Sequence, residues 1–257
     1  MIHPGAIIHA DAHISDGVSI GAYSIIGADV KIAENCWIGP HVVIKGPTTI
    51  GKNNKIFQFC SLGEDPQDKK YQGESDSALL MGDNNVIREY CSINRGTSPG
   101  GGLTRLGNNN WIMAYVHVAH DCMIGDDTVL ANNTTLAGHV TVDDHVTLGG
   151  FTGVHQYCRI GKHSFSAISS VIVKDVPPYL MISGNTAKPT GLNKEGLKRH
   201  GFSIATIDLL KKAYKTVYRD GLLLKDALQE LQVLEKDSPE VTAFIHFIQT
   251  SERGIAR

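Results

Sequence analysis

Twelve histidines are many for 257 residues, and several of them gather between His117 and His155. His120 is followed at once by Asp121, and His139 and His155 come after it with glycine and glutamine neighbours, Gly138 and Gln156. An unperturbed imidazole titrates near pH 6.5, so a histidine of this group can accept a proton near neutral pH. A neighbouring carboxylate raises its basicity and fixes its orientation. A backbone N–H near Gly138, uncovered by any side chain, can meet a developing oxyanion. No Cys or Ser stands here in a nucleophile motif, which favours direct group transfer over a covalent enzyme intermediate. Three histidines also suit a catalytic zinc with an open position, and the residue types alone leave both chemistries open. His3, His9, His13 and His163 stand apart from the group and read as polar surface residues, so His163→Ala is expected to be silent.

Whether these side chains meet depends on a repeat. Steps of six from Ile2 give Ile8, Ile14, Ile20, Ile26, Ile32, Ile38, Ile44, Ile50, Ile56 and Leu62. The series resumes at Met81, Ile87 and Ile93, then runs from Leu106 to Ile172 with Ser166 alone off type. A helix needs apolar residues at every third or fourth position and a simple strand at every second. A period of six fits a parallel β-helix, each hexad giving one short strand and one corner. Glycine follows many of the aliphatics, as at Gly21, Gly27 and Gly39, and is expected to supply corner conformations. The fourth residue after each aliphatic is often small, and all five cysteines (Cys36, Cys60, Cys91, Cys122, Cys158) share that phase. They read as buried free thiols, with no disulfide and no metal role. Three hexads per coil stack residues eighteen apart at about 4.8 Å. His120 then lies over Gly138 and Gln156, and Asp121 over His139 and Tyr157. The preceding column ends in His155, and His117 is a short step away.

The expected fold is mainly β: a parallel β-helix over residues 1–178, interrupted at 63–80 and 96–105, then a helical domain over 179–257. Segment 63–80 is polar and charged, and 96–105 is glycine-rich and expected to be flexible. Insertions on such a scaffold leave on one side, often the binding side. In the tail, Ser203 is expected to cap a helix to about Arg219 that stops at Asp220-Gly221; a second covers roughly 225–235, and Ser238-Pro239 opens a third. With 24 basic and 26 acidic residues, a broad nucleic-acid or membrane-surface footprint is not expected. No signal peptide or membrane-spanning run is read, which leaves a cytoplasmic protein as the expectation.

The segments HVAHDC (His117–Cys122), LANNTTLAGHV (Leu130–Val140), VHQYCRIG (Val154–Gly161), DVPPY (Asp175–Tyr179) and NKEGLKRHGFS (Asn193–Ser203) resemble the bacterial UDP-N-acetylglucosamine O-acyltransferases over essentially the whole chain. The resemblance implies a left-handed winding and a 3-hydroxyacyl transfer from acyl carrier protein to the 3-position of UDP-N-acetylglucosamine, the first step of lipid A biosynthesis, without cofactor or metal. It implies that His120 is the general base, Asp121 its orienter and the Gly138 amide the oxyanion site. It further implies that Asp68, Lys70 and His117 hold the sugar and nearby phosphate, that His139, His155 and Gln156 line the cleft, and that Asn193, Glu195 and Arg199 bind the nucleotide. Family members are homotrimers with clefts between neighbouring prisms and a basic tail surface for the acidic carrier protein. By the same resemblance, proton transfer is favoured over a zinc hydratase; a non-catalytic scaffold is disfavoured because it has no need of the His120, Asp121 and His139 cluster.

Two positions depart from well-known members of that family, and a third bears on the acyl chain. Asn94 stands where they have a histidine near the acceptor, which leaves a 3-hydroxyl or a 3-amino sugar open. His200 stands where they have a second arginine, implying a weaker or pH-dependent phosphate contact. Ile168, with Phe165 nearby, falls where some long-chain enzymes have glycine, implying a stop for the acyl chain. The alternative for Ile168 is a place in the prism interior.

Overall fold

The six-residue period is a coil of three short parallel strands. In the computed structural model, which describes residues 1–74, 76–235 and 238–257, most strands are two residues long and each pairs with the strand one coil further on. His117 pairs with Thr135 and Thr135 with Gly153, so residues eighteen apart do stack. Three sheets of nine, eight and ten strands make the walls of a left-handed parallel β-helix. The repeat aliphatic, the second residue of each two-residue strand, points inward, which puts Ile26, Ile44, Leu62, Ile93, Val118 and Leu136 in one buried column. Each such side chain contributes about 1.5–3 kcal/mol on burial. Ile2, at the N-terminal end of the neighbouring column through Ile20 and Ile38, is 46% exposed. The five cysteines are free and buried in the small-residue positions. Ser166, the off-type residue, is buried but satisfied: its Oγ accepts from Gly149 N at 3.0 Å and shares a 2.8 Å hydrogen bond with Thr152 Oγ1.

The corners differ from expectation. The left-handed residue is the third after each aliphatic, not the glycine that follows it: Asp121, His139 and Tyr157 have φ of 60°, 62° and 64°. Asn, Asp and His tolerate that region better than other side chains, and they recur at this phase. The glycines answer a different need. A Cβ on Gly21 would stand 2.5 Å from Pro40 N, so the next coil approaches too closely for a side chain.

Both insertions are shorter than the sequence implied. Ser61–Glu64, Ala78–Met81 and Leu103–Leu106 are wall strands, with Leu79 and Met81 buried, so the first insertion begins only after Glu64 and ends before Ala78, and the second is confined to 95–102. The wall also continues past Pro177-Pro178. Leu180–Ser183 pairs in parallel with Phe165–Ser166 and antiparallel with Lys188–Leu192, so a hairpin rather than a helix follows the prolines. Leu180 and Ile182 are buried at strand alternation, a signal too short to stand out before a helical tail.

Helices follow: α1 (Lys194–Arg199), α2 (Ile204–Tyr218), α3 (Leu224–Glu235) and α4 (Pro239–Gln249). Ser203 Oγ accepts from Thr206 N at 3.0 Å and Ser238 Oγ from Val241 N at 3.4 Å, the two caps expected. Ile207, Leu210, Ala213 and Val217 are buried with Val241, Phe244, Ile245 and Ile248. The chain end returns to the prism through a hydrogen bond from Ala256 N to Asp175 O (2.8 Å).

Candidate active site

One corner of the prism carries His120, Asp121, Gly138, His139 and Tyr157 in two adjacent columns. His120 Nδ1–H donates to Asp121 Oδ2 at 2.7 Å, because an ionised carboxylate only accepts, and this leaves Nε2 as the acceptor. The Asp121 side chain is 1% exposed. Its Oδ1 accepts from Thr97 N (2.8 Å) and its Oδ2 also from Thr97 Oγ1 (2.7 Å), while Asp121 N donates to Thr104 Oγ1 (2.8 Å). The His139 ring stands perpendicular to that of His120 at 5.2 Å, and Tyr157 stacks on His139 at 4.4 Å. A Cβ on Gly138 would lie 2.8 Å from His120 Nε2, so only glycine leaves the imidazole its place. Among the described residues the Gly138 amide donates to no partner.

His117 Nδ1 lies 2.7 Å from Ser92 Oγ on the preceding coil, and burial holds its pKa below the usual histidine value, with His120 acting in the same direction. Burial also lowers His139; Asp121 and Asp68 oppose the shift and His120 adds to it. A cleft of about 160 Å³ joins this corner to the first insertion, lined by Asp68, Lys70, Tyr71, Thr97, His139 and Tyr157 among others. His155 and Gln156 are exposed one coil further on, with His155 Nδ1 3.2 Å from Gln156 O.

Asn193, Glu195 and Arg199 are not brought to this corner within one chain. Asn193 caps α1 and anchors it to the next corner, donating to His163 O at 3.0 Å and accepting from Gly196 N at 3.2 Å. Glu195 pairs with Lys198 at 3.0 Å, and Arg199 is exposed with no ion pair among the described residues. Here His163 departs from its expected surface role. It is only 8% exposed, because α1 and Phe202 cover it, with ring centroids 4.6 Å from His145, 4.9 Å from His200 and 5.0 Å from Phe202. Burial first, then positive His145, His200 and Lys162, pushes its pKa down to about 4. A silent His163→Ala is therefore no longer expected. Ile168 lies at the third corner, 69% exposed, so it does not fill the prism interior; Phe165 is half-buried on the neighbouring wall strand.

A relative from Thiobacillus denitrificans, named acyl-(acyl-carrier-protein)–UDP-N-acetylglucosamine O-acyltransferase, is 53% identical over 256 residues, covering 100% of this chain and 99% of its own. This chain belongs to that acyltransferase family. Crystal structures agree: the UDP-N-acetylglucosamine O-acyltransferase of Moraxella catarrhalis is 49% identical with a TM-score of 0.96, covering 100% of this chain and 99% of that one. The UDP-N-acetylglucosamine acyltransferase of Francisella novicida is 45% identical with a TM-score of 0.97, covering 100% and 94%. Residues 29–63 and 104–138 match the bacterial transferase hexapeptide family, and 175–256 the second domain of UDP-N-acetylglucosamine O-acyltransferase.

The acyltransferase corner also has the makings of a metal site, since donor atoms of His120, Asp121 and His139 lie within 4.8 Å of one another. Its hydrogen bonds argue otherwise. Asp121 already accepts three, one of them from His120 Nδ1, so most of the lone pairs an ion would need are committed. Sequence reasoning missed Thr97 and Thr104. Both flank the glycine run at 100–102, and that run was the available signal.

Proposed function

We propose that the chain transfers a 3-hydroxyacyl group from acyl carrier protein to the 3-position of UDP-N-acetylglucosamine or its 3-amino analogue, opening lipid A biosynthesis in the cytoplasm. The observation that carries this reading is the His120–Asp121 pair, with Nε2 free and Gly138 packed against the imidazole. His120 Nε2 takes the proton of the sugar hydroxyl as that oxygen attacks the thioester carbonyl. The tetrahedral oxyanion is met by the Gly138 N–H. Collapse breaks the C–S bond, and the thiolate leaves with the proton held by His120. Asp121 orients the imidazole and stabilises its charged form. Asp68 and Lys70 approach this corner from the first insertion and suit the sugar and phosphate; His117, His139, His155 and Gln156 line the path.

The reading requires a second copy of the chain. Asn193, Glu195 and Arg199 stand at a different corner from His120, so a nucleotide sugar meets both sets only where two prisms adjoin. A homotrimer with three such clefts satisfies this. The guanidinium of Arg199 offers forked donors suited to a diphosphate. Among the described residues no helix is long and apolar enough to cross a membrane, which agrees with a donor borne by a carrier protein. The test is mass spectrometry of the product formed from a mixed 3-hydroxyacyl carrier pool and both UDP-sugars. His120→Ala should lower turnover by about 10²–10⁴-fold with the fold intact. Near-native turnover by that variant ends the general-base mechanism.

A further inference from the structure

The second insertion, 95–102, is wrapped around the Asp121 carboxylate rather than left open to solvent. Thr97 N–H donates to Oδ1 and Thr97 Oγ1–H to Oδ2, at 2.8 and 2.7 Å. The Thr97 hydroxyl also accepts from Gly100 N at 3.2 Å, so its one hydrogen is committed to the carboxylate. A Cβ on Gly100 would lie 2.2 Å from the Asp121 carboxyl carbon, which explains the glycine there: loop backbone rests directly on the carboxylate. Gly101 and Gly102 have φ of 95° and 76°, conformations that allow the loop to turn back to the wall strand at Leu103. Every glycine in the run thus serves one geometry.

The same loop is bolted to the first insertion. Arg95 donates to Ser77 Oγ (3.0 Å), Tyr71 Oη (2.9 Å) and Gly63 O (3.0 Å), and pairs with Asp65. Ser98 hydrogen-bonds Asp76. Arg95 and Thr97 are two residues apart, so the segment that carries Asp68 and Lys70 and the carboxylate that orients His120 share one rigid clasp. Oδ2 accepts from both His120 and Thr97 while Oδ1 accepts from Thr97 N, which prevents rotation of the carboxylate about Cβ–Cγ.

We propose that Thr97 is a positioning residue for the transfer reaction: through its two hydrogen bonds it fixes the Asp121 carboxylate, and so the imidazole of His120, in the geometry that presents Nε2 to the acceptor. This rests on His120 being the general base. A hydrogen bond to a charged group corresponds to about a tenfold to hundredfold effect. Thr97→Val keeps the shape and removes the hydroxyl donor, so kcat should fall by about that factor with KM for UDP-N-acetylglucosamine unchanged, and Thr97→Ser should restore most of it. Gly100→Ala, which places a methyl group where the carboxylate lies, should lower kcat similarly and covers the case in which the valine variant does not fold. In a His120→Ala background, Thr97→Val should cost nothing further, because there is no imidazole left to orient. Native kcat in both Thr97→Val and Gly100→Ala, or an equal loss with and without His120, overturns the proposal and leaves Thr97 a cap of its own turn. Native turnover in His120→Ala alone would instead remove the general-base reading on which the proposal rests, so the two failures are distinct.

Discussion

Replacing His163 by glutamine should flatten the acid side of the stability profile. The imidazole is 8% exposed, and burial together with positive His145, His200 and Lys162 pushes its pKa down to about 4, against partial opposition from Asp144. An unfolded histidine titrates near 6.5. Between those values the unfolded chain binds a proton at this residue and the folded chain does not. Stability therefore falls as pH drops through the window from about 6.5 to about 4, and the residue has no pH effect above it. Two and a half pH units at 1.36 kcal/mol each correspond to about 3 kcal/mol. Urea denaturation of wild type and His163→Gln across this window reads the difference, with other titrating groups common to both. Wild type should lose about 3 kcal/mol more than the variant by the acid end. Parallel profiles would refute both the buried, neutral state of His163 and the coverage of its corner by α1.

Arg199→Ala should raise KM for the nucleotide sugar by about tenfold to hundredfold while kcat is largely kept, since a charge-assisted contact to phosphate is worth about 1.5–3 kcal/mol. An unchanged KM in steady-state kinetics would take the 193–199 segment out of the nucleotide site. Ile168→Gly should shift the donor preference toward chains longer by about one or two carbon pairs, at about 0.8 kcal/mol per methylene accommodated. Competition between carrier-bound donors of increasing length measures this, and an unmoved preference means that Ile168 does not limit the acyl chain.

The core was legible because one column of aliphatics imposes a strict period, and any break such as Ser166 is visible against it. The adjacency of His120 and Asp121, and their stacking over Gly138 and His139, follow from the same arithmetic. What escaped depends on contacts that no period encodes. Gly21 looks like a corner residue until the distance to Pro40 in the next coil is known. His163 occupies the same phase as His139, and only the docking of α1 and Phe202, some thirty residues on, separates a buried ring from an exposed one. Thr97 sits in a glycine-rich stretch whose composition implies flexibility, and only its carboxylate partner shows the loop to be fixed.

The coil that builds the core also sets the dimensions of the site. Corner residues such as Asp121, His139 and Tyr157 share one left-handed conformation and stack at the spacing of neighbouring strands, about 4.8 Å. At that spacing a full side chain beneath His120 would collide with its imidazole, as the 2.8 Å from a Gly138 Cβ to Nε2 shows. A glycine in this one slot removes the collision. In the proposed mechanism the corner thus draws its base and its oxyanion donor from two residues one coil apart, His120 and Gly138. Asp121 is different, because the coil alone leaves its carboxylate free to turn. The clasp from 95–102 adds the two Thr97 hydrogen bonds that hold it, alongside the one from His120.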